Sequence, residues 1–428
     1  MTVSRRGRVA IVGTGIAGAT AAETLRKEGF RGDIVMMGTD PDLPYRRPMV
    51  SKELLSGAAA AEKALLRSAP AWSDLSIDVR TATTVRAVDA PTARVEFDDG
   101  TDLGYDALIL ATGGRPRRLD PLLAGAHALR GMHDVGPLRE ILARAASGGG
   151  VPSLLIVGGG LVGMEVAASA RALGAEVTVL EMADRVLEHV LPELVSAMFE
   201  RMHRDRGVVV HTGVRLAVQI REPDGRTRVS AADGREWVAD AVVVAVGMTP
   251  NDELAAQAGL TVDDGIVVDD LCATSAAGVY AVGDVARFPN RILGGAQRVE
   301  HWNHARDHGA AAARAVLGGT APYEEVPWCW TTQFGRNVQM AGWPGLATEV
   351  LMRGDIDSGP FTVLCLRGDR LVGAVATGRP RDIQAARTLI KDGPYLPPES
   401  LAGDDFGLVE LSAVPGRFTT SALTVASE

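Results

Sequence analysis

Two glycine triplets of the same spacing, Gly13-x-Gly15-x-x-Gly18 and Gly158-x-Gly160-x-x-Gly163, begin 145 residues apart in this 428-residue chain. Each is suited to hold a pyrophosphate. The first glycine permits a tight turn, the second lets the backbone approach the phosphates, and the third packs helix on strand, so that a helix N-terminus faces the anion. One triplet alone would be weak evidence, but both stand in the required context. The β-branched runs at 9–12 and 154–157 precede them as buried strands, and 16–27 and 161–173 follow with helical spacing. The chain therefore carries two dinucleotide sites.

The elements around these turns repeat as whole modules. The first runs from the strand at 9–12 through an irregular segment, 40–56, and short strands including Val95-Glu96-Phe97, to Ala107–Leu110 and the ending Ala111-Thr112-Gly113-Gly114. Residues 116–130 connect onward, and Gly148-Gly149-Gly150 is a short linker before the second module. That module closes on Ala241–Val244 and Gly247-Met248-Thr249-Pro250-Asn251, the same strand-then-glycine ending. An alanine-rich helix is expected from Trp302 to Val316. From Pro322 short strands alternate with turns to about Ile390, and 400–428 have the weak periodicity of a tail or dimer arm.

Composition narrows the function classes. With 46% hydrophobic and 23% charged residues the chain reads as soluble and globular, and no apolar run reaches the roughly 18 residues of a membrane span. Ser4-Arg5-Arg6-Gly7-Arg8 resembles an export signal, but the apolar run behind it leads into Gly13, not a cleavage site, so a cytoplasmic protein is expected. A net charge of −9 argues against nucleic acid. Three cysteines, Cys272, Cys329 and Cys365, without a CxxC, indicate neither a disulfide framework nor zinc. His301, His304 and His308 fall at helical spacing, but no further Asp, Glu or Cys completes a metal set. Only four lysines occur, which singles out Lys52.

An ordered series of motifs then carries a family resemblance. It comprises the first triplet, Pro44-Tyr45-Arg46-Arg47-Pro48 leading to Ser51-Lys52, Ala111-Thr112-Gly113, Leu129-Arg130 and the second triplet with Glu165. It continues through Gly247–Asn251, Tyr280-Ala281-Val282-Gly283-Asp284, Glu300-His301-Trp302 and Pro327-Trp328-Cys329-Trp330. Over about residues 8–390 the chain resembles the FAD- and NADH-dependent ferredoxin reductases of bacterial oxygenase systems. These are the putidaredoxin-reductase-like branch of the glutathione-reductase-type two-dinucleotide flavoproteins.

The resemblance implies an α/β fold of two Rossmann-like dinucleotide-binding domains plus a C-terminal α+β domain. The FAD domain would be discontinuous, 1–115 and 247–321, the NAD domain 116–246 and the interface domain 322–399, with 400–428 as tail. FAD would lie on Gly13, Gly15, Ala17 and Gly18, with Asp40, 22 residues past Gly18, holding the adenosine ribose. A turn-forming Asp before Pro41 is the alternative. Arg47, Lys52, Val85, Thr112, Gly113, Arg130, Gly283 and Asp284 complete the flavin set, with Trp302 and Trp330 as walls or as core. NADH would use Gly158, Gly160, Gly163, Glu165, Gly247 and Glu300, with Glu181 accepting the 2′-hydroxyl and repelling a 2′-phosphate. Arg185 leaves some NADPH use open. Lys52 and Glu165 are the implied catalytic pair beside flavin N5; for Glu165, placed in the first turn of its helix, complementing the helix dipole is the alternative.

The missing thiols bear on where the electrons go. Relatives of this architecture pass them to a cysteine pair, or to one cysteine in the segment that here reads Pro48–Lys52, and this chain has neither. Cys329 is expected as a small buried hydrophobe. FAD would deliver single electrons to an iron–sulfur ferredoxin, drawn to a basic patch among Arg306, Arg314, Arg336, Arg379 and Arg381. A monomer or homodimer suits the family. Two other readings use the same scaffold: a flavin oxidase or small-molecule oxidoreductase, and a redox-sensing binding protein with a long-lived NADH–flavin complex.

Overall fold

The computed structural model describes residues 6–222, 224–393 and 408–412. The chain divides into two compact units. One contains Met1–Arg117, Ala128–Arg139 and Gly247–Glu325; the other contains Arg118–His127, Glu140–Val246 and Val326–Glu428.

The first unit is built on a five-stranded parallel sheet in the order Val279–Ala281, Ala107–Leu110, Arg8–Val12, Asp33–Met37, Ile77–Arg80. Its three inner strands are apolar beyond their first residues because both faces are covered, whereas the edge strand Ile77–Arg80 alternates with Asp78 and Arg80. Val9, Ile11, Ile34, Met36 and Ile109 meet the helices Ile16–Lys27 and Trp302–Val316. Ala10, Val12, Val35, Met37, Leu108 and Leu110 meet Val85, Val88, Val95 and Phe97 of a three-stranded antiparallel sheet.

The second unit repeats the plan with a four-stranded parallel sheet in the order Val208–His211, Glu176–Leu180, Ser153–Val157, Ala241–Val244. The helix Leu161–Ala172 follows its glycine turn, and an antiparallel sheet of Leu216–Arg221, Thr227–Ala231 and Glu236–Ala239 flanks it. Its C-terminal part is a five-stranded antiparallel sheet, Trp328–Gln333, Arg336–Gly342, Arg370–Thr377, Phe361–Arg367, Glu349–Gly354. The helix Pro380–Asp392 buries Ile383, Ala386, Leu389 and Ile390.

The glycine-flanking strands and the helices Ile16–Lys27 and Trp302–Val316 match the sequence expectation. The helices Val135–Ser147 and Glu193–Arg204 are additional. The second has a legible signal in Val195, Met198, Phe199 and Met202, all buried at helical spacing behind Pro192. The expected tail falls outside the described residues except for the short helix Leu408–Ser412. Among the described residues no helix is long and apolar enough to cross a membrane.

Two candidate dinucleotide sites

The two glycine turns have the same internal geometry. Gly13 N–H donates to Met37 O at 2.7 Å and Gly158 N–H to Leu180 O at 2.8 Å, tying each turn to the next strand. Gly13 has φ +122° and Gly158 φ +109°, where L side chains are strained. A Cβ would also stand 2.0 Å from Ala111 O at Gly13 and 2.4 Å from Ala245 O at Gly158. The third glycines are equally constrained, since a Cβ at Gly18 or Gly163 would lie 2.1 or 2.0 Å from the carbonyl of Gly13 or Gly158. Around Gly15 and Gly160, by contrast, no atom of the described residues beyond the adjoining chain lies within 4 Å of the Cβ position. Each is the residue before a helix with no acidic side chain in its first turn. Open space at a bare helix N-terminus is what an approaching pyrophosphate needs, so the residues fit a dinucleotide in each unit.

The strand ends differ. In the second unit Glu181 directly follows Leu180, and its carboxylate accepts from Gly159 N–H at 2.6 Å and Ala183 N–H at 2.8 Å. In the first unit Gly38 directly follows the strand Asp33–Met37, and Asp40 lies two residues further on. Asp40 accepts from the Tyr45 hydroxyl at 2.9 Å and from Arg47 at 3.0 Å. Burial pushes the Tyr45 phenol up, so it stays a donor.

This contact begins a chain that joins four of the anticipated flavin residues. Arg47 also donates to Arg130 O at 3.0 Å, and the Arg130 guanidinium pairs with Asp284 at 3.0 Å. Asp134, which no sequence motif marks, accepts from the backbone N–H of Arg130 and Gly131 at 2.8 and 2.7 Å. Thr112 donates its hydroxyl to Asn251 O at 2.7 Å, and the Asn251 amide returns a bond to Thr112 O at 2.9 Å. A Cβ on Gly283 would lie 3.0 Å from Ala17 Cβ, which places the Gly283-Asp284 motif against the first glycine helix. Lys52 lies in a π-helical turn, Val50–Leu54, inside the segment expected to be irregular. Val85 is buried at the start of its strand, and Trp302 opens its helix with Arg306 5.9 Å over its ring. Gly247 and Glu300, anticipated for NAD, belong to this same first unit, where Glu300 accepts from Arg298 at 2.7 Å.

Two imidazoles underlie the Gly283 turn. His308 Nδ1 accepts from Gly283 N–H at 3.2 Å, and His304 Nδ1 shares a 2.8 Å hydrogen bond with the Tyr323 hydroxyl. Burial holds His304 neutral, pushed down to about 3, and carries His308 well below its usual range, with the neighbouring imidazole adding to it. Their folded-state affinities lie below those of the unfolded chain, so the unfolded state binds more protons between these values and about pH 6.5. Stability is therefore complete above about pH 6.5 and falls as pH drops, with a slope near 1.4 kcal/mol per pH unit for each histidine. His308→Gln should flatten the decline of melting temperature between about pH 6.5 and 4; an unchanged slope would assign acid lability elsewhere.

Glu165 is in the second turn of Leu161–Ala172, not the first, which removes the dipole role. It is buried, and its Oε1 accepts from the Thr331 hydroxyl at 2.7 Å. Arg185 is engaged with Leu191 O, the Ser196 hydroxyl and Glu188 O at 2.8, 2.6 and 3.0 Å. Trp330 packs 6.0 Å from Trp328 between ring centroids.

The three cysteines are unpaired. Cys329 is half-buried, more open than expected, whereas burial pushes the thiols of Cys272 and Cys365 up, the latter to about 12. The arginines expected to form a basic patch are largely engaged: Arg306 with Asp307 at 2.8 Å, Arg314 with Glu28 at 3.4 Å, Arg379 with Asp382 at 3.9 Å and Arg336 with Ile356 O at 2.6 Å. Arg381 is exposed.

Two glycine cradles on parallel sheets, one backed by a strand-end glutamate, define a protein with two dinucleotide-binding modules. Its sequence matches the family model "Pyridine nucleotide-disulphide oxidoreductase" over residues 7–309 and the model "Reductase C-terminal" over residues 328–412. The chain belongs to the pyridine nucleotide-disulphide oxidoreductase family. It is 42% identical over 403 residues to the ferredoxin–NAD(+) reductase component of the anthranilate 1,2-dioxygenase system of Burkholderia cepacia, covering 93% of this chain and 97% of that one. It is 39% identical to rhodocoxin reductase of Rhodococcus erythropolis, covering 94% and 93%. Its structure superposes on the reductase in the crystal structure of the covalent putidaredoxin reductase–putidaredoxin complex with a TM-score of 0.88 and 34% identity, over 95% of this chain and 98% of that one.

Proposed function

We propose that this protein is a cytoplasmic NADH:ferredoxin reductase that feeds an oxygenase. The observation that carries the reading is the pair of open glycine cradles in a chain with no thiol pair, supported by relatives whose names specify ferredoxin–NAD(+) reductase activity. FAD held on the first glycine turn would supply the conversion of a two-electron hydride donor into single-electron delivery, which suits an iron–sulfur acceptor.

The protein's own residues bind and orient. Gly15 and the N-terminus of Ile16–Lys27 receive the FAD pyrophosphate, and the Asp40–Arg47–Arg130–Asp284 chain holds the surrounding loops in register. Gly160 and Glu181 receive NADH, and Arg185, committed to backbone carbonyls and Ser196, is not offered to a 2′-phosphate. Lys52 serves the flavin and Glu165 the nicotinamide at hydride transfer. Residues 1–115 and 247–321 act as the FAD domain together with 128–139, which pack in the same unit and carry Arg130; the rest of 116–246 acts as the NAD domain and 322–399 as the interface domain. A positioning mechanism of this kind needs little proton chemistry from the protein.

The test separates the two half-reactions. Ferredoxin-dependent cytochrome c reduction should weaken as ionic strength rises, while NADH:ferricyanide turnover stays nearly constant. Stoichiometric peroxide from NADH with no gain on adding ferredoxin would replace this reading with that of an oxidase.

A further inference from the structure

We infer that Thr331 and Gln333, on the first strand of the C-terminal sheet, are positioning residues for Glu165: together they form a one-way hydrogen-bond chain that fixes its carboxylate on the helix behind the second glycine turn. The inference rests on the reading of Glu165 as a residue of the hydride-transfer step. Gln333 Nε2 lies 3.0 Å from Thr331 Oγ1, which lies 2.7 Å from Glu165 Oε1. Thr331 and Gln333 are 0% and 1% exposed and Glu165 is 7% exposed, so bulk water does not compete for these bonds.

The direction of the chain follows from its donors and acceptors. An amide nitrogen only donates, so the threonine hydroxyl accepts from Gln333 and has its single proton to give to Glu165 Oε1. This arrangement leaves Gln333 Oε1 buried without a partner among the described residues. Turning the amide round would aim that oxygen at Thr331 and draw the hydroxyl proton away from Glu165. The unsatisfied acceptor thus accompanies the orientation that serves the carboxylate, and buried polar groups without partners are uncommon enough to require a reason.

A second feature holds the strand in register for this task. Thr331 and Gln333 are two residues apart and share a face. They pair with Val338 and Arg336 across a two-residue turn, Phe334-Gly335, whose φ angles are +50° and +79°. Such a turn favours Asn-Gly, and a bulky residue at positive φ is strained. The Phe334 ring is nonetheless held, with His203 edge-on at 4.9 Å and the Arg206 guanidinium at 4.9 Å. His203 is fully buried, and its Nε2 lies 3.1 Å from the carbonyl of Met164, the residue before Glu165. The hairpin is therefore anchored at its tip to the same turn of helix that its strand addresses through Thr331.

The experiment compares Thr331→Val, Thr331→Ser, Gln333→Met and Glu165→Gln in the flavin-loaded enzyme by stopped-flow reduction with NADH. Thr331→Val should lower the limiting rate about tenfold or more, with the NADH dissociation constant held within about twofold. Thr331→Ser should restore the rate, and Gln333→Met should give a smaller loss in the same direction. Adding Thr331→Val to Glu165→Gln should cause no further fall. Melting temperatures supply a readout independent of turnover: the two losses should be less than additive in the double variant. A slow Glu165→Gln beside a Thr331→Val of ordinary speed, or equal losses in the valine and serine variants, would overturn the positioning role and leave Glu165 standing. A Glu165→Gln enzyme of ordinary speed would remove the reading of Glu165, and the positioning role with it.

Discussion

Gly160→Val is expected to yield a folded, flavin-containing protein that has lost NADH binding, while the smaller change Gly158→Ala is expected not to fold. The contrast isolates binding from architecture, because the two glycines are two residues apart and serve different ends. At Gly160 the backbone is extended, with φ −76° and ψ −177°, and no atom of the described residues beyond the adjoining chain lies within 4 Å of the Cβ position, so the fold has room for a side chain. That room is the proposed pyrophosphate site. Filling it should weaken NADH binding by at least about 100-fold, roughly 3 kcal/mol. At Gly158 a Cβ meets Ala245 O at 2.4 Å with φ at +109°, and relief requires moving two strands apart. Strain and displacement together should exceed about 3 kcal/mol, a large share of a typical domain's stability. Circular dichroism, flavin absorbance and an NADH titration decide the matter; a Gly160→Val protein that binds NADH normally would place the coenzyme elsewhere.

Replacing Glu181 with Gln should lower the ratio of kcat/KM for NADH over NADPH by about 10- to 100-fold, equivalent to roughly 1.4–3 kcal/mol. The carboxylate is fixed by the backbone N–H groups of Gly159 and Ala183, one to each oxygen, so in the proposed site it would meet an incoming ribose in one orientation. At that position it would repel a 2′-phosphate, and the Arg185 guanidinium would offer no compensation because it is bound to Leu191 O, Ser196 and Glu188 O. The neutral amide removes the repulsion while keeping the shape, so most of the change should be a gain for NADPH. Steady-state assays with ferricyanide as acceptor measure the ratio; an unchanged ratio would show that Glu181 does not face the 2′ position.

Several parts of both sites are legible in the amino-acid order for local reasons. Gly13 and Gly158 stand where a short apolar run meets helical spacing, and such turns are specified within a dozen residues. Glu181 is legible because the strand before it has a fixed length, which puts the carboxylate at a predictable distance from the turn. The same spacing points to Asp40 at a strand end, yet Gly38 occupies that place and Asp40 is held by Tyr45 and Arg47 further along. The spacing rule does not register a loop that begins early. Lys52 is marked by rarity and resemblance, but the π-helical turn around it has no periodicity by which a short segment could announce it.

Long-range pairing is beyond the reach of sequence reasoning. Thr331 meets Glu165 across 166 positions, and Arg130 meets Asp284 across 154. A threonine on an alternating strand looks the same whether it faces solvent or a buried carboxylate. The order of residues by itself determined the two nucleotide turns, the strands that carry them and the lack of a thiol relay, since each depends on backbone sterics or on which side chains exist at all. Tertiary structure alone decided which polar groups are buried together and therefore which charges are held, oriented or withdrawn from use, because desolvation and hydrogen-bond geometry arise only when distant segments pack.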